Sequence, residues 1–160
     1  MPEGLKLDTP RVDDGAAIWR IARDSKTLDL NSSYSYLLWC RDFAATSVVA
    51  RVDGRAVGFV TGYARPDEPR TLMVWQVAVD EGQRGRGLAG RMLAALADRV
   101  EPAVLETTIS PDNTASMALF EAFARDRGAA VDRTTLFAVH DFPDGEAHEP
   151  EVLFRISPLD

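Results

Sequence analysis

The chain alternates between stretches whose apolar residues recur at helical spacing and stretches with the composition of β-strands. A short strand, residues 5–11, precedes two helices, the second running roughly from Tyr34 to Phe43. Three strands follow, then a helix, a strand, a helix and two final strands. Because an antiparallel meander precedes a strand–helix–strand crossover, we expect an α/β (α+β) fold. Its sheet is mixed, mostly antiparallel and six- to seven-stranded, flanked by helices, in one domain over residues 1–160.

Turn and cap residues predict where these elements begin and end. Asp53-Gly54 separates two strand-like runs and is a strong hairpin signal. Asp13 or Asp14 is expected to cap the first helix, and Ser32 or Ser33 the second. Asn113 is expected to cap the fourth helix, which should end near Gly128. The last two strands are predicted at residues 133–139 and 151–156.

Composition excludes several classes of protein. The net charge of −7 argues against a partner such as nucleic acid or an anionic membrane, since both require a basic face. No apolar run approaches the ~20 residues that span a bilayer, and the N-terminus lacks signal-peptide character, so we expect a cytoplasmic protein. With one cysteine and two histidines, no metal site is expected. Cys40 shares a helical face with Tyr36, Leu37 and Phe43, which indicates a buried thiol.

The stretch DEGQRGRGLAGRM, residues 80–92, contains two overlapping phosphate-loop patterns. Gly85, Gly87 and Gly90 match G-x-G-x-x-G, for which Glu106 would be the ribose-binding acid. A meander strand precedes this loop and only 70 residues follow Gly90, which disfavours a dinucleotide fold. A pyrophosphate at the start of the next helix is the alternative, with nearby arginines as counter-charges. An ordinary strand-to-helix turn is the third interpretation.

The longer run WQVAVDEGQRGRGLAGRMLAAL resembles the coenzyme A loop of the GNAT family of N-acetyltransferases, with Arg84, Gly87 and Ala89 at the family's positions. Asn113 and the later Ala118-Leu119-Phe120 resemble the family's next segment. The resemblance implies the GNAT fold with splayed central strands, acetyl-CoA as cosubstrate, and direct attack by an amine without an acyl-enzyme. The residues it implies for coenzyme binding are Val77, Val79, Arg84, Gly85, Arg86, Gly87, Leu88, Ala89, Gly90, Asn113 and Phe120.

Phe120 departs from the family's pattern, which often has a tyrosine there to protonate the leaving thiolate. The resemblance therefore implies that this role is unfilled or belongs to Tyr34, Tyr36 or water. Phe120 is still expected to pack on the coenzyme.

Four stretches, residues 28–40, 71–80, 105–120 and 148–156, resemble a branch of the family that acetylates the 4-amino group of L-2,4-diaminobutyrate in ectoine biosynthesis. This resemblance implies a small diamino acid substrate and a homodimer. Candidate catalytic residues are Asp29, Glu149, Glu151 and Tyr34, the last expected to cap the second helix and face the cleft. Candidate substrate-binding residues are Asp29, Asn31, Ser33, Tyr34, Trp75, Thr108, Glu149 and Glu151.

Several alternatives remain open. The acids and Trp75 also have structural interpretations, as turn, loop or core residues. The substrate carboxylate could be held by Arg11, by Arg41 or by a helix N-terminus. The substrate could instead be a polyamine or a protein N-terminus, and a non-catalytic acyl-CoA sensor would be a protein of a different class.

Overall fold

The computed structural model describes residues 4–160, which contain seven strands and four α-helices in the predicted order. The strands are β1 (Leu5–Asp8), β2 (Val48–Val52), β3 (Arg55–Ala64), β4 (Thr71–Val79), β5 (Val104–Ile109), β6 (Ala130–Phe137) and β7 (Glu151–Ser157). The helices are α1 (Gly15–Ser25), α2 (Ser33–Asp42), α3 (Leu88–Val100) and α4 (Thr114–Asp126). The strands form one mixed sheet in the order β1-β2-β3-β4-β5-β7-β6, which confirms the predicted fold class.

The chain divides into two compact units. The first contains residues 4–64 and 74–100, with β1 to β3, the second part of β4, and α1 to α3. Antiparallel pairing joins β1 to β2 and β2 to β3. Asp53 and Gly54 both have positive φ, of 52° and 81°, as the predicted tight hairpin between β2 and β3 requires.

The core of the first unit is a cluster in which helical and strand residues pack together. Its buried members are Ile18, Ile21, Ala22, Tyr36, Cys40, Phe59 and Ala78. Ile18, Ile21 and Ala22 form the buried face of α1. Of the face predicted for α2, Tyr36 and Cys40 are buried, whereas Leu37 and Phe43 are exposed.

The second unit contains residues 65–73 and 101–160, with the start of β4, β5, α4, β6 and β7. Antiparallel pairing joins β7 to both β5 and β6. Buried side chains from β5, α4 and β7 include Leu105, Phe123 and Phe154. The single-domain interpretation of residues 1–160 remains a prediction.

Some predicted boundaries and caps were wrong. β1 ends at Asp8, not at residue 11, and β6 begins at Ala130, three residues earlier than predicted, because Ala130 pairs with Ser157. The C-cap of α4 is Arg127, and Gly128 follows it with a φ of +65°.

Asp14 precedes α1 as predicted, but its carboxylate does not cap that helix. The carboxylate accepts two hydrogen bonds from Arg51 of β2, at 2.5 and 2.8 Å, and one from the Arg11 N–H at 2.7 Å. Burial opposes ionisation of Asp14, but these bonds outweigh it and keep the pKa of the carboxyl below its usual value. Asp14 is therefore a buried ion-pair partner that ties the start of α1 to β2.

Cys40 is buried in α2, as the sequence predicted. Burial raises the pKa of its thiol to about 11, with a smaller contribution from the charge of Asp14. Among the helices of residues 4–160, none combines the length and apolar character needed to cross a bilayer.

Candidate active site

The glycine loop, residues 84–90, joins β4 to α3 through conformations that favour glycine. Gly85 and Gly87 have φ of +77° and +70°, where a side chain costs roughly 1–2 kcal/mol. Within the described part of the chain, no heavy atom lies within 4 Å of a β-carbon built on Gly85, Gly87 or Gly90, apart from those of the immediate chain neighbours and, for Gly90, the backbone of its own helix. The space above this backbone is therefore open to a ligand.

The start of α3 presents backbone donors beside this space. The first helical hydrogen bond runs from the Arg91 N–H to the Gly87 carbonyl at 3.1 Å. The N–H groups of Leu88, Ala89 and Gly90 consequently have no acceptor within the helix. Together with the positive end of the helix dipole, they favour an anionic group.

Two arginines of the glycine loop add positive charge. Arg84 donates from Nε to the Val79 carbonyl at the end of β4, at 3.1 Å. Arg86 donates to Oε1 of Gln83 at 3.4 Å. Because each guanidinium has five N–H donors, both retain donors for a phosphate oxygen.

The other residues predicted to bind coenzyme lie on β4 and α4. Val77 and Val79 are half-buried near the end of β4. Asn113 caps α4 by accepting the Ser116 N–H at 3.2 Å, which confirms its predicted structural role. Phe120 is 3% exposed within α4. Contact of these four residues with the coenzyme remains a prediction.

Residues 26–32 lead into α2 and carry Asp29 and Asn31, two of the residues predicted to bind substrate, and this segment is called the substrate loop. Ser32 caps α2 by accepting the Ser35 N–H, and Ser33 is the first helical residue. Tyr34 lies inside the first turn of α2 with 66% of its surface exposed, so the prediction that it caps the helix was wrong. The roles of Asp29, Asn31, Ser33 and Tyr34 toward substrate remain predictions.

Trp75 of β4 belongs to an aromatic stack. Its ring lies parallel to that of Trp39 from α2, with 4.7 Å between centroids and 10° between planes. The ring of Tyr36 lies 5.9 Å away. The core-packing interpretation of Trp75 is therefore confirmed, and its contact with substrate stays a prediction.

A buried polar network joins the substrate loop to β4. The Tyr36 hydroxyl donates to Oε1 of Gln76 at 2.9 Å, and Nε2 of Gln76 donates to the Asp29 carbonyl at 2.9 Å. Burial raises the pKa of the Tyr36 hydroxyl, and its interactions with Asn31 and Gln76 oppose that rise only in part. Sequence reasoning missed Gln76, although one amide within the apolar run TLMVWQVAV was a signal for a buried polar role.

The predicted acids of the second unit lie near the start of β7. Glu151 is the first residue of β7, half-buried, with its Oε2 atom shielded from solvent. Glu149 is exposed, and a hydrogen bond with Asp112, reinforced by the charge of Asp112, raises the pKa of its carboxyl. Thr108 of β5 pairs with Leu153 of β7, so Thr108 lies beside the same end of β7.

His148 restrains the backbone beside Glu149. Its ring stacks on Phe142 with 3.7 Å between centroids and 7° between planes. Its Nδ1 atom lies 2.6 Å from the Glu149 carbonyl oxygen. The segment before β7 is therefore held by ring stacking as well as by hydrogen bonding.

Glu106, the acid that a dinucleotide site would need, is engaged elsewhere. It is buried in β5 and accepts a hydrogen bond from Arg155 of β7 at 2.8 Å. Arg65 lies 3.8 Å from its other carboxylate oxygen. Glu106 therefore serves as an ion-pair partner, which removes the ribose-binding acid from the dinucleotide interpretation.

Comparison with known proteins agrees with this geometry. The model of the acetyltransferase (GNAT) family matches residues 15–124, which include the glycine loop and most of α4. The chain belongs to the GNAT family.

Relatives within the GNAT family share nearly the whole chain. The L-2,4-diaminobutyric acid acetyltransferase of Streptomyces coelicolor is 66% identical, over 97% of this chain and 94% of that protein. The enzyme of the same name from Streptomyces avermitilis is 62% identical, over 99% and 91%. A solved structure, diaminobutyrate acetyltransferase EctA from Paenibacillus lautus in complex with its substrate L-2,4-diaminobutyric acid and coenzyme A, matches with a TM-score of 0.92. It is 38% identical and the match covers 98% of this chain and 96% of that one.

Proposed function

We propose that this GNAT protein transfers the acetyl group of acetyl-CoA to the 4-amino group of L-2,4-diaminobutyrate, giving N4-acetyl-L-2,4-diaminobutyrate in ectoine biosynthesis. The observation that carries the proposal is the match, over nearly the full chain, to an enzyme solved with this diamino acid and coenzyme A. The sequence identity to relatives of the same name supports it.

The glycine loop fits a coenzyme pyrophosphate. Gly85 and Gly87 leave open space above the backbone, and the N–H groups at the start of α3 point out of the helix end. In the proposal, these N–H groups bind the phosphate oxygens while Arg84 and Arg86 supply counter-charge. Acetyl-CoA supplies the acetyl group as a thioester that an amine can attack directly.

The end of β4 is proposed to orient the thioester. The backbone groups of Val77 and Val79 would bind the pantetheine arm, with the Val77 N–H donating to the thioester carbonyl. A backbone donor in this position stabilises negative charge that develops on a carbonyl oxygen.

Carboxylates are proposed to bind and deprotonate the amine. An amine with a pKa near 10 is neutral in only about one molecule in a thousand at pH 7, so a base must accept its proton. Asp29, Glu149 and Glu151 are the candidates, and Asp29 with one of the two glutamates would bind the two ammonium groups of the substrate. The raised pKa of Glu149 brings that carboxyl toward the pH at which a base works best.

We further propose that residues 1–160 act as one catalytic domain, and that the enzyme is a cytoplasmic homodimer that serves osmotic adaptation. The family match extends over parts of both compact units, which supports a single domain. The other statements rest on the resemblance to the diaminobutyrate branch.

Thiol release from acetyl-CoA, measured with a panel of amines, tests the proposed function. We expect turnover with diaminobutyrate, and N4-acetyl-diaminobutyrate as the product by NMR. If a polyamine or an N-terminal peptide is turned over in preference to diaminobutyrate, that amine would replace diaminobutyrate as the proposed substrate. Binding of acetyl-CoA without turnover of any amine would indicate an acyl-CoA sensor.

A further inference from the structure

The substrate loop is held by a chain of hydrogen bonds. The Asp29 carbonyl accepts from Nε2 of Gln76 at 2.9 Å and from Nδ2 of Asn31 at 3.2 Å. Gln76 in turn accepts from the Tyr36 hydroxyl at 2.9 Å. Two buried side chains from β4 and α2 therefore fix the backbone on which the Asp29 carboxylate is mounted.

The rest of the substrate loop has little regular structure to hold it. Residues 26–32 belong to neither α1 nor α2. Leu28 packs against the core of the first unit, whereas the side chains of Asp29 and Leu30 are exposed. The core contact of Leu28 and the network around Gln76 both hold the backbone at Asp29.

Burial makes the network specific. Tyr36 is 0% exposed and Gln76 is 5% exposed, so neither side chain can exchange its partner for bulk water. Burying an amide is unfavourable unless its donors and acceptors are paired, and an apolar residue would fill the same space without that requirement. The Gln76 amide therefore makes the packing of the substrate loop directional, because its Nε2 donor points at the Asp29 carbonyl.

We propose that Gln76 and Tyr36 are positioning residues that determine substrate specificity by holding the Asp29 carboxylate where it meets an ammonium group of the substrate. The inference rests on the proposed function, because it assigns Asp29 to binding of the diamino acid. The coenzyme contacts proposed for the glycine loop do not depend on it.

Tyr36→Phe removes one hydroxyl and keeps the ring. We expect the KM for diaminobutyrate to rise about three- to tenfold, the loss of one hydrogen bond's contribution, while the KM for acetyl-CoA stays unchanged. Tyr63→Phe is the matched control, since Tyr63 packs on Trp39 and Phe43 in the same unit, and it should leave both KM values unchanged. A merely structural hydroxyl would lower the melting temperature without separating the two KM values.

Gln76→Met is the second variant, because the methionine side chain is similar in length to glutamine and has no hydrogen-bonding amide. Its KM for diaminobutyrate should rise at least as much as that of Tyr36→Phe, again without a change for acetyl-CoA. Equal increases in both KM values would overturn the inference. If Gln76→Met does not fold, the outcome with Tyr36→Phe decides.

A double-mutant cycle with Asp29→Asn separates the inference from the proposed function. If Tyr36 acts through the Asp29 carboxylate, Tyr36→Phe should raise the KM for diaminobutyrate by less than twofold once Asp29 is Asn. Additive effects would overturn the positioning role and leave Asp29 as a substrate residue. A wild-type KM in Asp29→Asn would overturn the inference and that residue's assignment, whereas absence of diaminobutyrate turnover in the wild-type protein would overturn the proposed function itself.

Discussion

The glycine loop and the substrate loop both lead into a helix of the first unit, but they are held in different ways. Arg84 and Arg86 of the glycine loop bond to Val79 and Gln83, which are five and three residues away along the chain. The substrate loop is bonded to Gln76, 47 residues away from Asp29. One loop is therefore shaped by its own neighbours, and the other by a contact that exists only after the sheet and α2 have packed.

Because the two loops are held differently, we expect substitutions in and around them to affect different functions. Substitutions within the glycine loop should change coenzyme binding through backbone conformation. Changes around the substrate loop should alter recognition of the amine, even when the substituted residue is buried. Four experiments test that separation.

Gly87→Val should have the largest effect. Strain of roughly 1–2 kcal/mol at positive φ adds to lost bonds to a charged phosphate, about 1.5–3 kcal/mol each. We expect the KM for acetyl-CoA to rise by at least about a hundredfold, measured by steady-state kinetics and checked by calorimetric binding.

Gly54→Val is the matched control for Gly87→Val. Gly54 also has positive φ, at +81°, but lies in the hairpin between β2 and β3. This variant should lose stability while keeping its affinity for acetyl-CoA. Unchanged affinity for acetyl-CoA in a folded Gly87→Val protein would contradict the assignment of the glycine loop to coenzyme binding.

Neutralising the candidate acids Asp29, Glu149 and Glu151 one at a time should have the second-largest effect. Asp29→Asn and one of Glu149→Gln and Glu151→Gln should each remove a charged hydrogen bond to the substrate, so kcat/KM for diaminobutyrate should fall roughly ten- to hundredfold in those two variants. The KM for acetyl-CoA should barely change. Glu146→Gln, an exposed acid in the same connection before β7, is the control and should match wild type. Wild-type efficiency in all three variants would show that the acids are surface charges.

Phe120→Tyr should have a small effect. If water fills the role of the missing hydroxyl, the variant should fold and keep kcat within about threefold of wild type. Because Phe120 is buried, the added oxygen should raise the KM for acetyl-CoA. A large gain in kcat would contradict this expectation and show that thiolate protonation limits turnover.

Asp112→Asn should produce the smallest change, a shift in the pH profile. Asp112 holds the pKa of Glu149 above its ordinary value, so removing that charge lets Glu149 ionise at lower pH. If Glu149 is the base, the acid side of the kcat/KM profile should move to lower pH. The shift should vanish in a Glu149→Gln background, and a shift that persists there would assign the base elsewhere.

Local sequence predicted most of the fold, including the place of the glycine loop between β4 and α3. The hairpin at Asp53-Gly54, the Asn113 cap and the element order depend on residues close together in the chain, where turn and cap preferences act directly. β6 was placed three residues late because Ala130, Val131 and Asp132 lack an apolar alternation. Those residues enter the strand by pairing with β7.

Contacts that join distant residues were less predictable, both at the substrate loop and elsewhere in the first unit. Asp14 suits a helix cap by local preference, yet it bonds Arg51, 37 residues later. Tyr36 is buried, as the helical face that it shares with Cys40 predicts, but nothing near it in the chain indicates which group its hydroxyl bonds. Its partner Gln76 lies 40 residues away on another element.

Cys40 has a consequence for an enzyme that handles thioesters. An accessible thiolate would exchange with acetyl-CoA and leave the protein acylated at sulfur, since the thiolate is the reactive form. The protein's one cysteine is buried in α2 with a pKa of about 11, so at neutral pH the thiol is both sheltered and protonated. The folded protein therefore presents no reactive thiol to its acyl donor, and a disulfide dye added during turnover should report liberated coenzyme A without a background from Cys40.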